Sequence, residues 1–243
     1  MAAQLILILL AILLAAIIQA STGFGFGLVA VGILTVFMPV QDAAFLNALP
    51  ALALNLTLIW RLYQYLQWDD LKWIALAIIL ATPIGVVGLL MLNARVMNGI
   101  LAMVLAVAIL RSVFNRSGAR PWHPFWLGFP MGILSGLLAG AYGTGGPPVI
   151  AYVQSYRYEM HRHVVCLQLL LAIAGTIRVI SLLMQNALTV EQWMLNGIGV
   201  LVIPLGALIG LYLLRRLPHS LLRNAILAML VLIMVNCLVR SLV

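Results

Sequence analysis

Apolar residues occur along this chain in long runs separated by short polar or glycine-rich segments. The runs cover residues 4–20, 25–38, 43–66, 71–92, 96–114, 124–140, 147–156, 163–185, 190–214 and 220–241. Several have the roughly 20 residues that an α-helix needs to cross the ~30 Å hydrocarbon core of a bilayer. The pattern therefore predicts an all-α polytopic membrane protein.

The composition excludes a soluble domain. Hydrophobic residues make up 65% of the 243 positions and charged residues 7%, whereas soluble domains carry about 25% charged residues. The net charge of +8 does not indicate nucleic-acid binding, because the basic residues stand at the ends of apolar runs, as charge bias across a membrane requires. We therefore expect the lipid bilayer as a partner and no nucleic acid.

Four short segments of the first half recur, in order, in the second half. The pairs are Gly23–Gly25 with Gly143–Gly145, Pro83–Gly85 with Pro204–Gly206, Asn98–Met103 with Asn224–Met229, and Arg111–Ser112 with Arg240–Ser241. Matches that keep their order and drift only through loop insertions indicate a duplicated unit. We predict a first repeat over residues 1–118 and a second over 119–243, together forming one integral membrane domain.

Each repeat is predicted to be a glycine-broken helical hairpin followed by three transmembrane helices. Such a unit crosses the membrane an odd number of times, so the second repeat would be inverted relative to the first. In this topology most of the 13 Lys and Arg residues fall on one side, which the positive-inside rule makes cytoplasmic. We expect a multi-pass protein of a bacterial cell inner membrane with both termini periplasmic. Whether the hairpins are re-entrant or fully crossing stays open.

The two glycine-rich breaks are the first candidate for a binding site. Glycine permits positive φ and leaves backbone N–H groups accessible, and Pro147 and Pro148 suit the first turn of a new helix. A helix that begins at a break directs unpaired N–H groups and a partial positive charge towards it, which favours an anion. The candidate ligands are Ser21, Thr22, Gly23, Gly25, Gly27, Tyr142, Gly143, Thr144, Gly145 and Gly146. Close helix packing is the alternative use of such small residues, and we assign it to Gly85, Gly88, Gly206 and Gly210.

Polar residues inside the apolar runs are the second candidate. Asn47 and Asn55, and likewise Gln168 and Thr176, are eight positions apart, which predicts that each pair shares one helix face. Each pair either lines a cavity or links helices by hydrogen bonds. Arg178 lies well inside its run, where it either snorkels to the surface or faces the pathway and grips an oxyanion.

The chain lacks the residue patterns typical of cation transport, metal binding and catalysis. All five Asp and Glu residues stand at the ends of apolar runs, which disfavours a cation transporter or a buried proton relay. The four His residues and two Cys residues lack the spacing of a metal site. We also find no clustered nucleophile and base, so we expect no catalytic residue, no metal and no cofactor, and hence no enzyme.

The two broken hairpins read STGFGFGLVAVGIL and GAYGTGGPPVIAYV, and P-x-G helices follow them. In these motifs, over essentially its whole length, the chain resembles the sulfite exporter TauE/SafE family of membrane proteins. The resemblance implies a secondary transporter or facilitator, usually an exporter, of a small anion such as sulfite, sulfoacetate or a related organosulfonate. A channel-like pore and a non-transporting partner subunit are the alternatives. The substrate, direction, coupling ion and any homo-oligomer stay open.

Overall fold

The computed structural model describes residues 2–66, 68, 70–114, 125–156, 158–216 and 219–242, and in these ranges the regular secondary structure is all helical. The helices are α1 Ala2–Thr22, α2 Phe26–Leu34, α3 Val40–Leu46, α4 Ala48–Leu62, α5 Lys72–Met91, α6 Ala94–Phe114, α7 Gly128–Tyr142, α8 Gly146–Ser155, α9 Met160–Met184, α10 Val190–Arg216 and α11 His219–Leu242. A short 3-10 turn, Tyr63–Tyr65, follows α4.

These helices follow the predicted apolar runs, because each run is long and ends at a polar, glycine or proline signal. Among the described residues, 5 stretches are long and apolar enough to cross a membrane: Gln4–Thr22, Val40–Tyr65, Lys72–Met91, His161–Met184 and Val190–Leu213. The chain is therefore a multi-pass membrane protein. The arms α2 and α8 have only 9 and 10 residues, about 14 and 15 Å of helix, and neither can cross the bilayer alone.

The run 43–66 does not form the single uninterrupted helix that we predicted. The helix α3 ends at Leu46, and α4 begins one residue later at Ala48. Pro50, in the first turn of α4, has no N–H, so it cannot donate a hydrogen bond to the carbonyl one turn earlier. Proline is tolerated at such a position because the first turn leaves its N–H groups unpaired anyway. The break therefore lies at Asn47, inside the stretch that is long enough to span the membrane.

Glycine allows two pairs of helices to pack backbone against backbone. On α7, a Cβ would overlap the backbone of α5 at three positions one turn apart, Gly132, Gly136 and Gly140. A Cβ on Gly85 of α5 would overlap α7, and one on Gly206 or Gly210 of α10 would crowd α1. The predicted packing role is thus confirmed for these three glycines. It is wrong for Gly88, where a Cβ would meet nothing closer than a Leu92 methyl at 3.9 Å.

Helices of the two halves contact each other in corresponding pairs. The helix α1 packs on α10 as α7 packs on α5, and α4 packs on α10 as α9 packs on α5. The helices α4 and α9 contact each other, as do α6 and α11. We call α1–α2 the first hairpin and α7–α8 the second hairpin. The predicted join near residues 117–121 lies outside the described residues.

Candidate functional site where the two hairpins meet

The tips of the two hairpins touch in the interior of the protein. A Cβ on Gly27, at the start of α2, would overlap the carbonyl oxygen of Gly143 and lie 2.9 Å from the methyl group of Thr144. Gly146 faces the other tip, with Phe24 atoms 3.8 Å from the place of its missing Cβ. The two glycine-rich breaks, 120 positions apart in sequence, therefore form one locus.

Three glycines at this locus adopt the left-handed backbone that the sequence predicted. Gly23 has φ +86°, Gly25 has φ +106° and Gly143 has φ +69°. A side chain at these positions would be strained whatever the space around it. At Gly143 the space is also filled, because a Cβ would lie 2.6 Å from both Arg178 and Asn47.

A small chamber of about 30 Å³ lies beside the tips. A water molecule needs roughly 10–15 Å³ by this measure, so the chamber has room for a compact polar species of a few atoms. Its walls come from both hairpins, α4 and α9. The lining residues are Gln19, Phe26, Ala48, Ala51, Asn55, Ala139, Gly143, Gly145, Leu171, Ala174, Gly175 and Arg178.

Arg178 is the cation of this chamber. Its side chain is 2% exposed, so it does not snorkel to the surface. Its Nε donates to Gly140 O at 3.0 Å, one terminal nitrogen donates to Asn47 Oδ1 at 2.6 Å, and the other donates to Ala44 O at 2.8 Å. In the described part of the chain, these hydrogen-bond acceptors are all neutral oxygens.

Two of these acceptors are carbonyls near helix C-termini. Ala44 belongs to the last turn of α3 and Gly140 to the last turn of α7, where carbonyl groups lack intrahelical donors and the helix dipole is negative. The end of α3 and the end of α7 therefore both bind the guanidinium. A charge that is costly to bury gains its hydrogen bonds from backbone that would otherwise be unpaired.

A side chain of α10 also forms hydrogen bonds with the backbone at the break at Asn47. Asn196 donates to Phe45 O at 3.1 Å and accepts from Leu49 N at 3.0 Å. One side-chain amide thus pairs with both a carbonyl and an N–H at the interruption of the helix, where buried backbone groups need partners. The sequence reasoning missed Asn196, although a lone amide within an apolar run was the available signal.

A second amide network holds the first hairpin. Gln19 donates to Asn55 Oδ1 at 2.6 Å and to Gln168 Oε1 at 3.1 Å, and its own oxygen accepts from the Phe26 N–H at 3.0 Å. Gln168 donates to Gly23 O at 2.7 Å. Gln19 therefore caps α2 and ties its tip to α4 and α9. Gln19 was also missed, although it immediately precedes the first break.

The predicted hydroxyl donors differ in their availability. Ser21 and Thr22 both donate to Ile18 O, 2.9 and 2.7 Å away, and Tyr142 donates to Met97 O at 2.7 Å. Thr144 is 3% exposed, and its hydroxyl is buried without a partner in the structure as described. Among these hydroxyls, Thr144 is the one whose hydrogen-bonding capacity is left for a ligand.

The structure does not bring Thr176 to the other predicted residues. Its side chain is exposed on the outer surface of α9, whereas Gln168 is fully buried. Eight residues advance an α-helix about 80° past two full turns, so a helix carries the second residue away from the face of the first. Asn47 and Asn55 both reach the site, because the helix is interrupted between α3 and α4.

The backbone N–H donors are fewer than the two breaks suggested. Gly143 N–H bonds to Ala139 O and Thr144 N–H to Leu138 O, which closes the end of α7. Pro147 and Pro148 have no N–H. In the first three residues of α8, Gly146 therefore has the one backbone N–H. In the first hairpin, the Phe26 N–H is taken by Gln19.

The carboxylates of the described residues do not line the chamber. Asp70, before α5, accepts a hydrogen bond from Tyr158 and lies 3.4 Å from Arg162. Burial and this hydrogen bond raise the pKa of Tyr158, so its phenol stays protonated and donates. Asp42 accepts from Gln192 in the first turn of α3. Within the described ranges, no three His, Cys, Asp or Glu side chains gather as a metal site would require.

Comparison with known proteins decides the family. A family model described as Sulfite exporter TauE/SafE matches residues 8–237, which is nearly the whole chain and includes both hairpins. The chain belongs to the sulfite exporter TauE/SafE family. The resemblance seen in the two glycine motifs is therefore confirmed.

A relative in Cupriavidus necator (strain ATCC 17699 / DSM 428 / KCTC 22496 / NCIMB 10442 / H16 / Stanier 337) carries the name "Probable sulfite/organosulfonate exporter TauE". It is 29% identical over 216 residues, which cover 82% of this chain and 78% of the relative. No solved structure matches this TauE/SafE chain. Because the family consists of membrane exporters, the chain is a transport protein and not an enzyme.

Proposed function

We propose that this TauE/SafE protein is a secondary transporter or facilitator that exports a small sulfur oxyanion, sulfite or a compact organosulfonate, through the chamber between its hairpins. The observation that carries the proposal is Arg178, a fully buried guanidinium that lines the chamber and whose protein acceptors are neutral. The substrate class comes from the name of the Cupriavidus necator relative.

The charge balance of the chamber supports an anion. A buried cation that no carboxylate neutralises is costly to maintain, and an anion beside it recovers part of that cost. At the second hairpin tip, next to the lining residues Gly143 and Gly145, Thr144 would add a hydroxyl donor and Gly146 a backbone N–H, while the N-termini of α2 and α8 contribute partial positive charge. The remaining glycines of the two tips would allow the left-handed backbone and the close contact between the tips. They are Gly23, Gly25, Gly27, Gly143 and Gly145.

The repeat architecture fits the same function. The corresponding helix pairs, α1 on α10 and α7 on α5, support two repeats of inverted topology that meet around one site. In that topology both termini face the periplasm, and the protein lies in the bacterial inner membrane. Export of an anion from a cell that is negative inside gains about 2.3 kcal/mol per charge per 100 mV, so it needs no coupling ion.

Sulfite efflux from proteoliposomes tests the proposal. Replacing Arg178 by Gln should lower the efflux rate at least about tenfold, because charge-assisted hydrogen bonds to the anion are lost. Arg240→Gln is the matched control, since Arg240 is an exposed arginine that donates to Val36 O at the surface. Arg178→Lys, which keeps the charge, should retain partial efflux. Wild-type efflux by a folded Arg178→Gln protein would remove the chamber from the mechanism.

Counterflow separates a carrier from a channel-like pore. Unlabelled sulfite inside the vesicles should accelerate uptake of labelled sulfite by a carrier, since the loaded site returns faster than the empty one. A pore would show no such acceleration. The chamber is small, about 30 Å³, and most of its lining residues are buried, so we expect the carrier result.

A further inference from the structure

Two buried side-chain amides occupy corresponding places in the two halves. Asn47 and Gln168 are 121 positions apart, the same separation as Pro83 and Pro204. Asn47 Nδ2 donates to Tyr142 O at 2.9 Å, and Gln168 Nε2 donates to Gly23 O at 2.7 Å. Each amide belongs to one half of the chain and holds the hairpin tip of the other half.

Each amide is also held by a second polar side chain. Asn47 Oδ1 accepts from Arg178 at 2.6 Å, and Gln168 Oε1 accepts from Gln19 at 3.1 Å. Both amides are 0% exposed. Their oxygens and one N–H of each are therefore committed to the protein, which leaves little capacity to bind a substrate directly.

We propose that Asn47 and Gln168 are positioning residues that clasp the two hairpins, and that each clasp opens separately to admit solvent from one face of the membrane. The inference rests on the proposed transport function and on the inverted arrangement of the hairpins. Gln168 closes the first hairpin, on the periplasmic side, and Asn47 closes the second hairpin, on the cytoplasmic side. In this structure both clasps are formed, so each hairpin tip is held against the other half of the chain.

Side-specific labelling of a chamber cysteine tests the clasps. In a background with Cys166→Ala and Cys237→Ala, the reporter is Ala51→Cys, because Ala51 lines the chamber. Right-side-out and inside-out vesicles are treated with a membrane-impermeant maleimide. Gln168→Leu should accelerate labelling from the periplasmic face, and Asn47→Leu from the cytoplasmic face. Each substitution removes two hydrogen bonds, and the loss of the bond to the hairpin tip alone predicts about a 2- to 12-fold change.

Three controls make the outcome decisive. Thr176→Leu, on α9 eight residues beyond Gln168 but exposed, should leave both rates unchanged. Gln168→Asn keeps the amide one methylene shorter and should shift labelling in the same direction by less. Should Gln168→Leu not insert, Gln168→Asn alone decides the first clasp. The second is then decided by Asn47→Ser, whose polar side chain is too short to reach Tyr142 O in the same way.

Equal acceleration from both faces, or none, would overturn the clasp proposal, since a purely structural role loosens the fold without regard to side. The labelling does not depend on which solute is carried. Absence of sulfite efflux by the wild-type protein would contradict the proposed function, while side-specific labelling would still support the clasps.

Discussion

At the scale of single residues, the site depends on which groups accept hydrogen bonds from the Arg178 guanidinium. Its acceptors are two backbone carbonyls near helix ends and the amide oxygen of Asn47. Neutral acceptors orient the guanidinium without cancelling its charge, so the positive potential persists in the chamber. A carboxylate in place of Asn47 would pair with Arg178 and remove that potential, and it would also lose the amide N–H that donates to Tyr142 O.

We therefore predict that Asn47→Asp weakens sulfite binding at least about tenfold while the protein still folds, because the new carboxylate pairs with Arg178. Binding to purified protein is measured by sulfite-dependent thermal shift. Gln185→Glu is the control, since it converts an exposed amide at the end of α9 into an acid outside the chamber. Undiminished binding by Asn47→Asp would contradict a role for the charge.

Thr144 gives a second residue-scale prediction, in which stability and binding change in opposite directions. Thr144→Val removes a buried hydroxyl that has no partner in the described structure, so the free energy of unfolding should stay equal or rise by about 1 kcal/mol. Sulfite affinity should fall roughly threefold to tenfold, since a donor to the anion is lost. Thermal unfolding and ligand titration of the same sample check both halves. A variant that loses stability but not affinity would show that the hydroxyl serves the fold alone.

At the scale of helices, glycine decides which pairs pack closely. Gly85 on α5 lies against the backbone of α7, whereas a Cβ on Gly88, less than one turn later, would meet only the Leu92 methyl at 3.9 Å. Lipid tails are as apolar as side chains, so van der Waals contact between close backbones provides much of the association energy. The two glycines therefore differ in what they do, although the sequence presents them alike.

Gly85→Ala should destabilise the protein by about 1–3 kcal/mol, because its Cβ would overlap the backbone of Leu137, which cannot rotate away. Gly88→Ala on the same helix should be neutral or stabilise by about 0.5–1 kcal/mol, as alanine does in a helix without a steric conflict. Thermal unfolding in detergent compares the two. Equal effects would show that the α5–α7 contact is looser than described.

At the scale of the whole molecule, the two halves contribute different chemistry to one site. The first half provides Asn47, Asn55 and the neutral cap Gln19, whereas the second provides the cation Arg178 and the free hydroxyl of Thr144. The corresponding helix pairs thus keep similar packing while the two halves differ at the chamber. The proposal that the halves are inverted repeats makes a prediction that does not involve the substrate.

If the repeats are inverted, alkaline phosphatase fused after residue 243 should be active, since that enzyme folds only in the periplasm. The same enzyme fused after residue 118 should be inactive, and green fluorescent protein at the two points should give the reverse pattern. The physical basis is the excess of Lys and Arg in the loops assigned to the cytoplasm. Equal reporter activity at both points would exclude an odd number of crossings in the second half.

The sequence by itself determined the membrane class, the helix positions and the family, because hydrophobic length and glycine–proline punctuation are local signals. The left-handed glycines and the prolines that begin α8 were predictable for the same reason. The interruption at Asn47 was signalled by Pro50, but a proline in an apolar run is equally consistent with a kink in one continuous helix.

Only the tertiary structure decided which polar residues meet. Gln19 joins Gln168, and Asn196 pairs with the break at Asn47, across 149 and more than 140 positions of sequence. Thr176 has the spacing of a site residue yet faces outward. Helical periodicity predicts which residues share a face of one helix, but not which other helix packs on that face. The packing partner is decided by contacts between helices distant in sequence, where buried polar groups must find hydrogen-bond partners.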